Sequence, residues 1–377
     1  MRKFSLVAAL VLATAGLGMA ARATVVGDEG SAAEREEPAP APKQAPEQPR
    51  PGPLAPREPP LQIRGVHVTM ALASIPGKLD EYLRLRGLNT LQLDVKDENG
   101  EVGFVPSAVP LAKEIGAAKS YYKPRLVAQQ ARDKGVFLIG RIVCFEDPIL
   151  AVQRPELAIH RRDGSVWKNH AGLGWTNPYD ERVWDYLVDL GETAARVGFD
   201  EIQFDYVRFP SDGDVENMVF PVETETPPGW VIPQFVQYAS KRLKKLGVRV
   251  SVDVFGLAAT RDLGIGQRPG RIARYVDAVY PMVYPSHYGS GEYGLDDPNA
   301  EPRRTVTVSL RHFERELRRR DVDLIPWLQD FSYGRTYTIS DVRAQIDAAA
   351  DADTRGFLLW NAAGVYSDGA LTYDPGG

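Results

Sequence analysis

The stretch Gly198–Pro210, GFDEIQFDYVRFP, decides how this sequence is read. An apolar run of strand length follows a glycine and carries a carboxylate, Asp205, toward its end. An ionised carboxylate buried without partners is costly or escapes the charge by shifting its pKa, so its presence needs a cause. Side chains alternate along a strand, which puts Ile202 and Phe204 on one face and Gln203 and Asp205 on the other. In a barrel the apolar face meets the surrounding helices and the second face meets the axis. A residue at the carboxyl end of such a strand then sits at the mouth where barrel enzymes build their sites.

The same alternation occurs twice more. In LQLDVKD, Gln92 and Asp94 alternate with Leu91, Leu93 and Val95; in RVSVDVFG, Ser251 and Asp253 alternate with Val250, Val252 and Val254. Strand-like runs centred near Val66, Leu91, Ile139, Ile202, Val252, Val279, Ile325 and Leu358 give eight in all. Amphipathic patterns separate them. In NPYDERVWDYLVDLGETAARVG, Asn177 is placed to cap a helix and Pro178 to open it, with Val183, Leu187, Leu190, Ala194 and Val197 on one face and Gly198 as its stop. Phe235, Ala239, Leu243 and Leu246 line a second such helix, ended by Gly247. Eight alternating units predict an α/β chain folded as a (β/α)8 TIM barrel with right-handed crossovers. An open doubly wound sheet is the alternative, but HVTMALASIPG after the first strand holds no G-x-G-x-x-G. A helix after the last strand is not evident in AAGVYSDGALTYDPGG.

The chain has 377 residues, and the barrel occupies 61–377. Residues 1–23 read as a signal peptide: a basic start, an apolar run from Phe4 to Ala15, and Ala21-Arg22-Ala23 as an A-x-A cleavage site. The run is short for a membrane anchor, and no transmembrane span is expected in the mature form. Residues 24–60 are rich in Pro, Ala and Glu and read as a disordered linker. The expected location is therefore periplasmic or extracellular. The single cysteine, Cys144, excludes an internal disulfide. A net charge of −5 argues against nucleic-acid binding, and RHFERELRRR at 311–320 mixes both signs as a solvated helix face does.

Three inward carboxylates at one rim suit glycoside hydrolysis, which needs one carboxyl group protonated and another ionised beside a sugar bond. Crowding pushes their pKa values apart. Tyr280, Tyr284, Trp327 and Trp360 fall near strand ends, where aromatic faces can receive pyranose rings. Arg141 and Glu146 add polar groups from the third strand. Lys96 is a possible partner for Asp94, and Arg208 for Asp205. The five histidines, His67, His160, His170, His287 and His312, form no H-x-H or H-E-x-x-H, and no G-x-S-x-G is present. The three aspartates could hold Mg²⁺ or Ca²⁺ through oxygen.

The run WTNPYDERVWDYLVDLGETAARVGFDEIQFDYVRFPSDG, with RGVHVT before it and AVYPMVYPSHY, PWLQDF and GFLLWNA after it, resembles a family of bacterial glycoside-hydrolase-like barrel proteins that carry a domain of unknown function. That family is related to the α-amylase-like glycosidases. The resemblance covers nearly all of 61–361 and implies a barrel with a sugar-related role. By analogy it implies Asp205 at the nucleophile position, and Asp253 where those enzymes carry a glutamic acid.

The expectation is an exported hydrolase of a polysaccharide or oligosaccharide, with Asp205 as nucleophile or base, Asp253 as acid, and no cofactor. Asp94, Lys96, Arg141, Glu146 and Arg208 are expected to bind the carbohydrate. Tyr284, His287, Trp327, Trp360 and Asn361 complete the set, with Gln329 or Asp330 pointing inward. The rival expectations are a non-catalytic polysaccharide-binding barrel of the cell envelope and a metal-assisted sugar esterase or deacetylase.

Overall fold

A computed structural model describes residues 54–222, 224–352 and 354–376. Residues 1–53, read as the signal peptide and most of the linker, lie outside the described residues. Among the described residues no helix is long and apolar enough to cross a membrane.

The strands are β1 (Ile63–Val68), β2 (Thr90–Lys96), β3 (Phe137–Val143), β4 (Glu201–Asp205), β5 (Arg249–Phe255), β6 (Ala278–Met282), β7 (Asp323–Leu324), β8 (Trp327–Gln329) and β9 (Gly356–Trp360). All their pairings are parallel, and β1 pairs with both β2 and β9, which closes the sheet. β7 and β8 are two pieces of one barrel position: both pair with β6, and the break falls at Ile325-Pro326. Proline lacks the N–H a ladder needs, so the strand divides there. All eight expected strands are present in a closed (β/α)8 barrel.

The period of two along each strand sorts the core into two clusters. Outward residues such as Leu91, Leu93, Ile202, Phe204, Val250 and Val252 join the helices in the larger one. Ile63, Phe137, Ile139, Ala278, Tyr280, Ile325, Trp327 and Leu358 pack together in the lumen. Gly65 in the lumen phase leaves room for Leu358, whose Cδ2 would lie 2.1 Å from an added Cβ.

The helix Glu181–Val197 buries Val183, Leu187, Leu190 and Ala194 and ends at Gly198, whose φ of 112° suits glycine. Its start corrects the sequence reading. Asp180, not Asn177, is the cap and accepts from the Arg182 N–H, while Asn177 accepts from Tyr179 N–H one turn earlier. Both residues can form such a bond, and position relative to Pro178 does not choose between them.

No helix follows β9 among the described residues. Turns cover that flank: Tyr82 donates to the Gly364 carbonyl at 2.7 Å, and Ala370 and Leu371 are buried. The packed chain also begins before Leu61. Arg57 donates to Asp200 from its backbone N–H at 2.9 Å and its Nη2 at 2.7 Å, and Arg355 holds the Pro60 carbonyl at 3.1 Å. Residues 54–60, read as linker, therefore lie against the amino-terminal end of the barrel.

Candidate active site

At the carboxyl-terminal mouth the lumen phase turns from apolar to polar. β1 supplies His67, β2 Gln92 and Asp94, β3 Arg141, β4 Gln203 and Asp205, and β5 Asp253, all buried. Arg141 organises them. Its Nε and Nη2 donate to Asp205 Oδ2 at 2.9 and 2.8 Å, and its Nη1 donates to Asp94 Oδ1 at 2.8 Å. Nη1 also lies 3.4 Å from Glu98 Oε2, just beyond β2. Asp205 Oδ1 accepts the Tyr206 N–H at 2.7 Å. Tyr206 holds φ at 47°, a left-handed conformation that costs a bulky residue about 1–3 kcal/mol.

Asp253 accepts from Trp327 Nε1 at 2.7 Å. The register Phe204↔Val252 makes Asp205 and Asp253 the next pair along β4 and β5. Burial, and then the charge of Asp205, push the Asp253 carboxyl well above the usual range, toward keeping its proton. Burial also lifts Asp94 to about 7, with Arg141 opposing and Glu98 adding. His67 Nδ1 lies 2.6 Å from Gln92 Oε1, and Gln92 in turn donates to Gln203. Burial and then Arg141 lower His67 to about 3, so its ring is neutral. That ring packs on Trp360 at 4.4 Å, and Trp360 meets Trp327 edge to face at 5.9 Å.

Above this layer, Glu146 follows β3. Its Oε2 accepts from Asn169 Nδ2 at 2.9 Å, its Oε1 has no hydrogen-bond partner, and burial raises it to about 7 against the pull of Arg208. On the opposite rim Tyr284, His287 and Phe331 meet edge to face at 5.4 to 6.0 Å, with Tyr333 beside His287.

Asp94, Arg141, Asp205, Asp253, Trp327 and Trp360 are thus brought together, with Glu146, Tyr284 and His287 around them. Other expected contacts differ. The β2–β3 register shifts between Asp94 and Lys96, and Lys96 pairs with Asp147 at 3.0 Å and the Val143 carbonyl at 2.8 Å, not with Asp94. Arg208 is not the partner of Asp205. Its guanidinium lies 4.7 to 4.9 Å from the rings of Phe255, Tyr206 and Trp175 and donates to the Phe209 carbonyl. Gln329 shares the inward phase of Trp327, yet its side chain is spent on the Ser286 N–H and the Phe331 carbonyl. Asp330 accepts from the Ser367 N–H and hydroxyl at 2.8 and 2.6 Å, so it pins the carboxyl-terminal turns. Asn361 closes a turn by donating to the Asp330 carbonyl and accepting from Ala363 N–H.

Two site residues were not singled out from sequence. His67 shares the phase of Ile63 and Gly65 and was legible as inward; Glu98 lies in a loop whose path the sequence pattern does not give. Among the described residues no group of three His, Cys, Asp or Glu side chains is arranged to hold a metal ion. Asp94 and Asp205 face a guanidinium where a divalent cation would need them.

Residues 65–366 match the family described as "Putative glycosyl hydrolase domain". Among solved structures, the chain is 36% identical to a hypothetical protein from Ruminiclostridium thermocellum, covering 50% of this chain and 97% of that one at a TM-score of 0.45. It is 13% identical to the PgaB (BpsB) glycoside hydrolase domain from Bordetella bronchiseptica, over 80% of this chain and 94% of that one, at a TM-score of 0.57. It is 15% identical to alpha-L-fucosidase isoenzyme 2 from Paenibacillus thiaminolyticus, over 82% and 48%, at 0.53. At those identities the last two show a shared fold. No curated protein matches the chain. Because the family match runs from the first barrel strand to beyond the last, the chain belongs to the "Putative glycosyl hydrolase domain" family.

Proposed function

We propose that this protein hydrolyses glycosidic bonds of a polysaccharide or oligosaccharide at the carboxyl-terminal mouth of its barrel. Asp205 is the carboxylate that faces the anomeric carbon, as nucleophile or base, and Asp253 is the acid that protonates the leaving oxygen. One observation carries this reading: Asp205 and Asp253 are neighbours on adjacent strands, with Asp253 enclosed and pushed above the usual carboxyl range while Asp205 accepts from three fixed donors. Two carboxyl groups in opposite protonation states are what the reaction needs. Arg141 fixes Asp205, Asp94 tunes Arg141, and Trp360 with the Tyr284–His287–Phe331 rim offers apolar faces to sugar rings. The signal-peptide-like leader supports action outside the cytoplasm.

Reducing-end release from a panel of glycans tests this. Wild type is expected to release product, and Asp205→Asn and Asp253→Asn to lose on the order of 10²–10⁴-fold in rate with the thermal midpoint nearly unchanged for Asp205→Asn. Equal activity in Asp205→Asn and wild type contradicts it.

A second reading is a non-catalytic polysaccharide-binding barrel. It is favoured by the enclosure of Asp253, which is 1% exposed and bonded to Trp327. Tight glycan binding with no product at any pH would select it.

A further inference from the structure

Glu98, a carboxylate of the mouth, has no part in that reaction. The Glu98 side chain is 39% exposed, against 2% for Asp94 and 8% for Asp205. It hangs over Arg141, 3.4 Å from the same Nη1 that holds Asp94. The guanidinium is rigid and planar, so the Glu98 and Asp205 oxygens that touch it lie within about 9 Å of each other.

The two carboxylates differ in what already occupies them. Asp205 Oδ2 accepts two bonds from Arg141 and its Oδ1 accepts the Tyr206 N–H. Three fixed donors make it a well-anchored negative charge. Glu98 accepts one long bond from Arg141, and its side chain is the most exposed of the three that share that guanidinium. Position differs too. Glu98 extends from the β2 end and Asp253 from β5, with β3 and β4 between them, so the two stand on different walls of the mouth. An acid and a water-activating base on opposite sides of a sugar are the arrangement of an inverting glycosidase.

We infer that Glu98, in place of Asp205, is the base that activates water, and that hydrolysis inverts the anomeric configuration; this rests on Asp253 being the acid and keeps Asp205 beside the anomeric carbon as a fixed charge. In one step the water oxygen bonds to the anomeric carbon as its proton passes to Glu98. The bond from that carbon to the glycosidic oxygen breaks, its electron pair stays on the leaving oxygen, and that oxygen takes the Asp253 proton. The fixed charge of Asp205 stabilises the positive charge that develops at the anomeric centre. Proton exchange with solvent then restores both carboxyl groups.

The test is proton NMR of the first product anomer, with Glu98→Gln and Glu98→Ala beside wild type and Asp205→Asn. Wild type is expected to give the inverted anomer. Glu98→Gln is expected to lose about 10²–10⁴-fold in kcat with KM little changed. Azide added to Glu98→Ala is expected to restore turnover and yield the inverted glycosyl azide, which a purely structural role for Glu98 does not produce. A retained first product, or Glu98→Gln within twofold of wild type, overturns the assignment of Glu98 while leaving the Asp205 and Asp253 reading in place. Cleavage by Asp205→Asn at the wild-type rate overturns the site itself, and no cleavage of any glycan by wild type overturns both.

Discussion

The two ends of the barrel treat buried charge in opposite ways. At the amino-terminal end each acid has a cation: Asp200 meets Arg57, Glu201 meets Arg249, and Asp323 meets both Arg249 and Arg355. At the mouth Asp94, Asp205 and Glu98 share one guanidinium, and Asp253 has a tryptophan N–H in place of a cation. A carboxyl group short of cations is pushed toward keeping its proton, as Asp94, Asp253 and Glu146 are. The closed end thus spends its polar groups on joining the chain, and the open end leaves its acids crowded around few partners.

The largest expected effect comes from removing the cation that the mouth shares. Arg141→Met leaves Asp94 and Asp205 buried and unpaired, and is expected to cost about 3–5 kcal/mol in urea denaturation as well as to abolish hydrolysis. A loss under about 1 kcal/mol would mean that water already screens these groups.

A pH effect comes next. Burial raises Glu146 from 4.5 to about 7 in the folded chain. A raised carboxyl favours the folded state while protonated, so its contribution is complete below about 4.5 and is lost as pH climbs through about 7. Glu146→Gln keeps the Asn169 contact possible and cannot ionise. Wild type is expected to lose on the order of 3 kcal/mol more than this variant between about pH 4.5 and about pH 8. Parallel stability curves for the two proteins over that window would remove Glu146 from the set of proton-holding groups.

The smallest effect belongs to the closed end. Arg57→Ala removes the two side-chain bonds to Asp200, but the backbone N–H of residue 57 and the Leu138 N–H remain, and Arg132 stands 3.8 Å away. A loss of about 2 kcal/mol is expected, with hydrolysis by the folded protein unchanged. If kcat fell as well, the two ends would be coupled and the contrast between them would weaken.

Much of this contrast is legible in the sequence, and the limits have physical causes. The inward placement of Asp94, Asp205 and Asp253 follows from strict alternation with Val, Leu, Ile and Phe, because the helices outside the barrel tolerate only apolar side chains. Lys96 misled because a register shift after Asp94 breaks that alternation. Gln329 and Asp330 stayed ambiguous because Pro326 interrupts their strand. Glu98 and Arg57 lie in loop and linker, where no periodicity exists, and their roles depend on partners distant in sequence: Arg141 for the first, Asp200 for the second. Arg141 itself was legible as a polar residue on β3, but its bridging of β2 and β4 needs the closed barrel.

The most direct measurement is a crystal structure of Asp205→Asn soaked with an oligosaccharide that wild type cleaves. A pyranose ring is expected across the mouth, packed near Trp360 and Tyr284, with its anomeric carbon within about 4 Å of the side-chain amide that replaces the Asp205 carboxylate. A glycan seated elsewhere on the barrel, with the mouth free of sugar, would contradict the account.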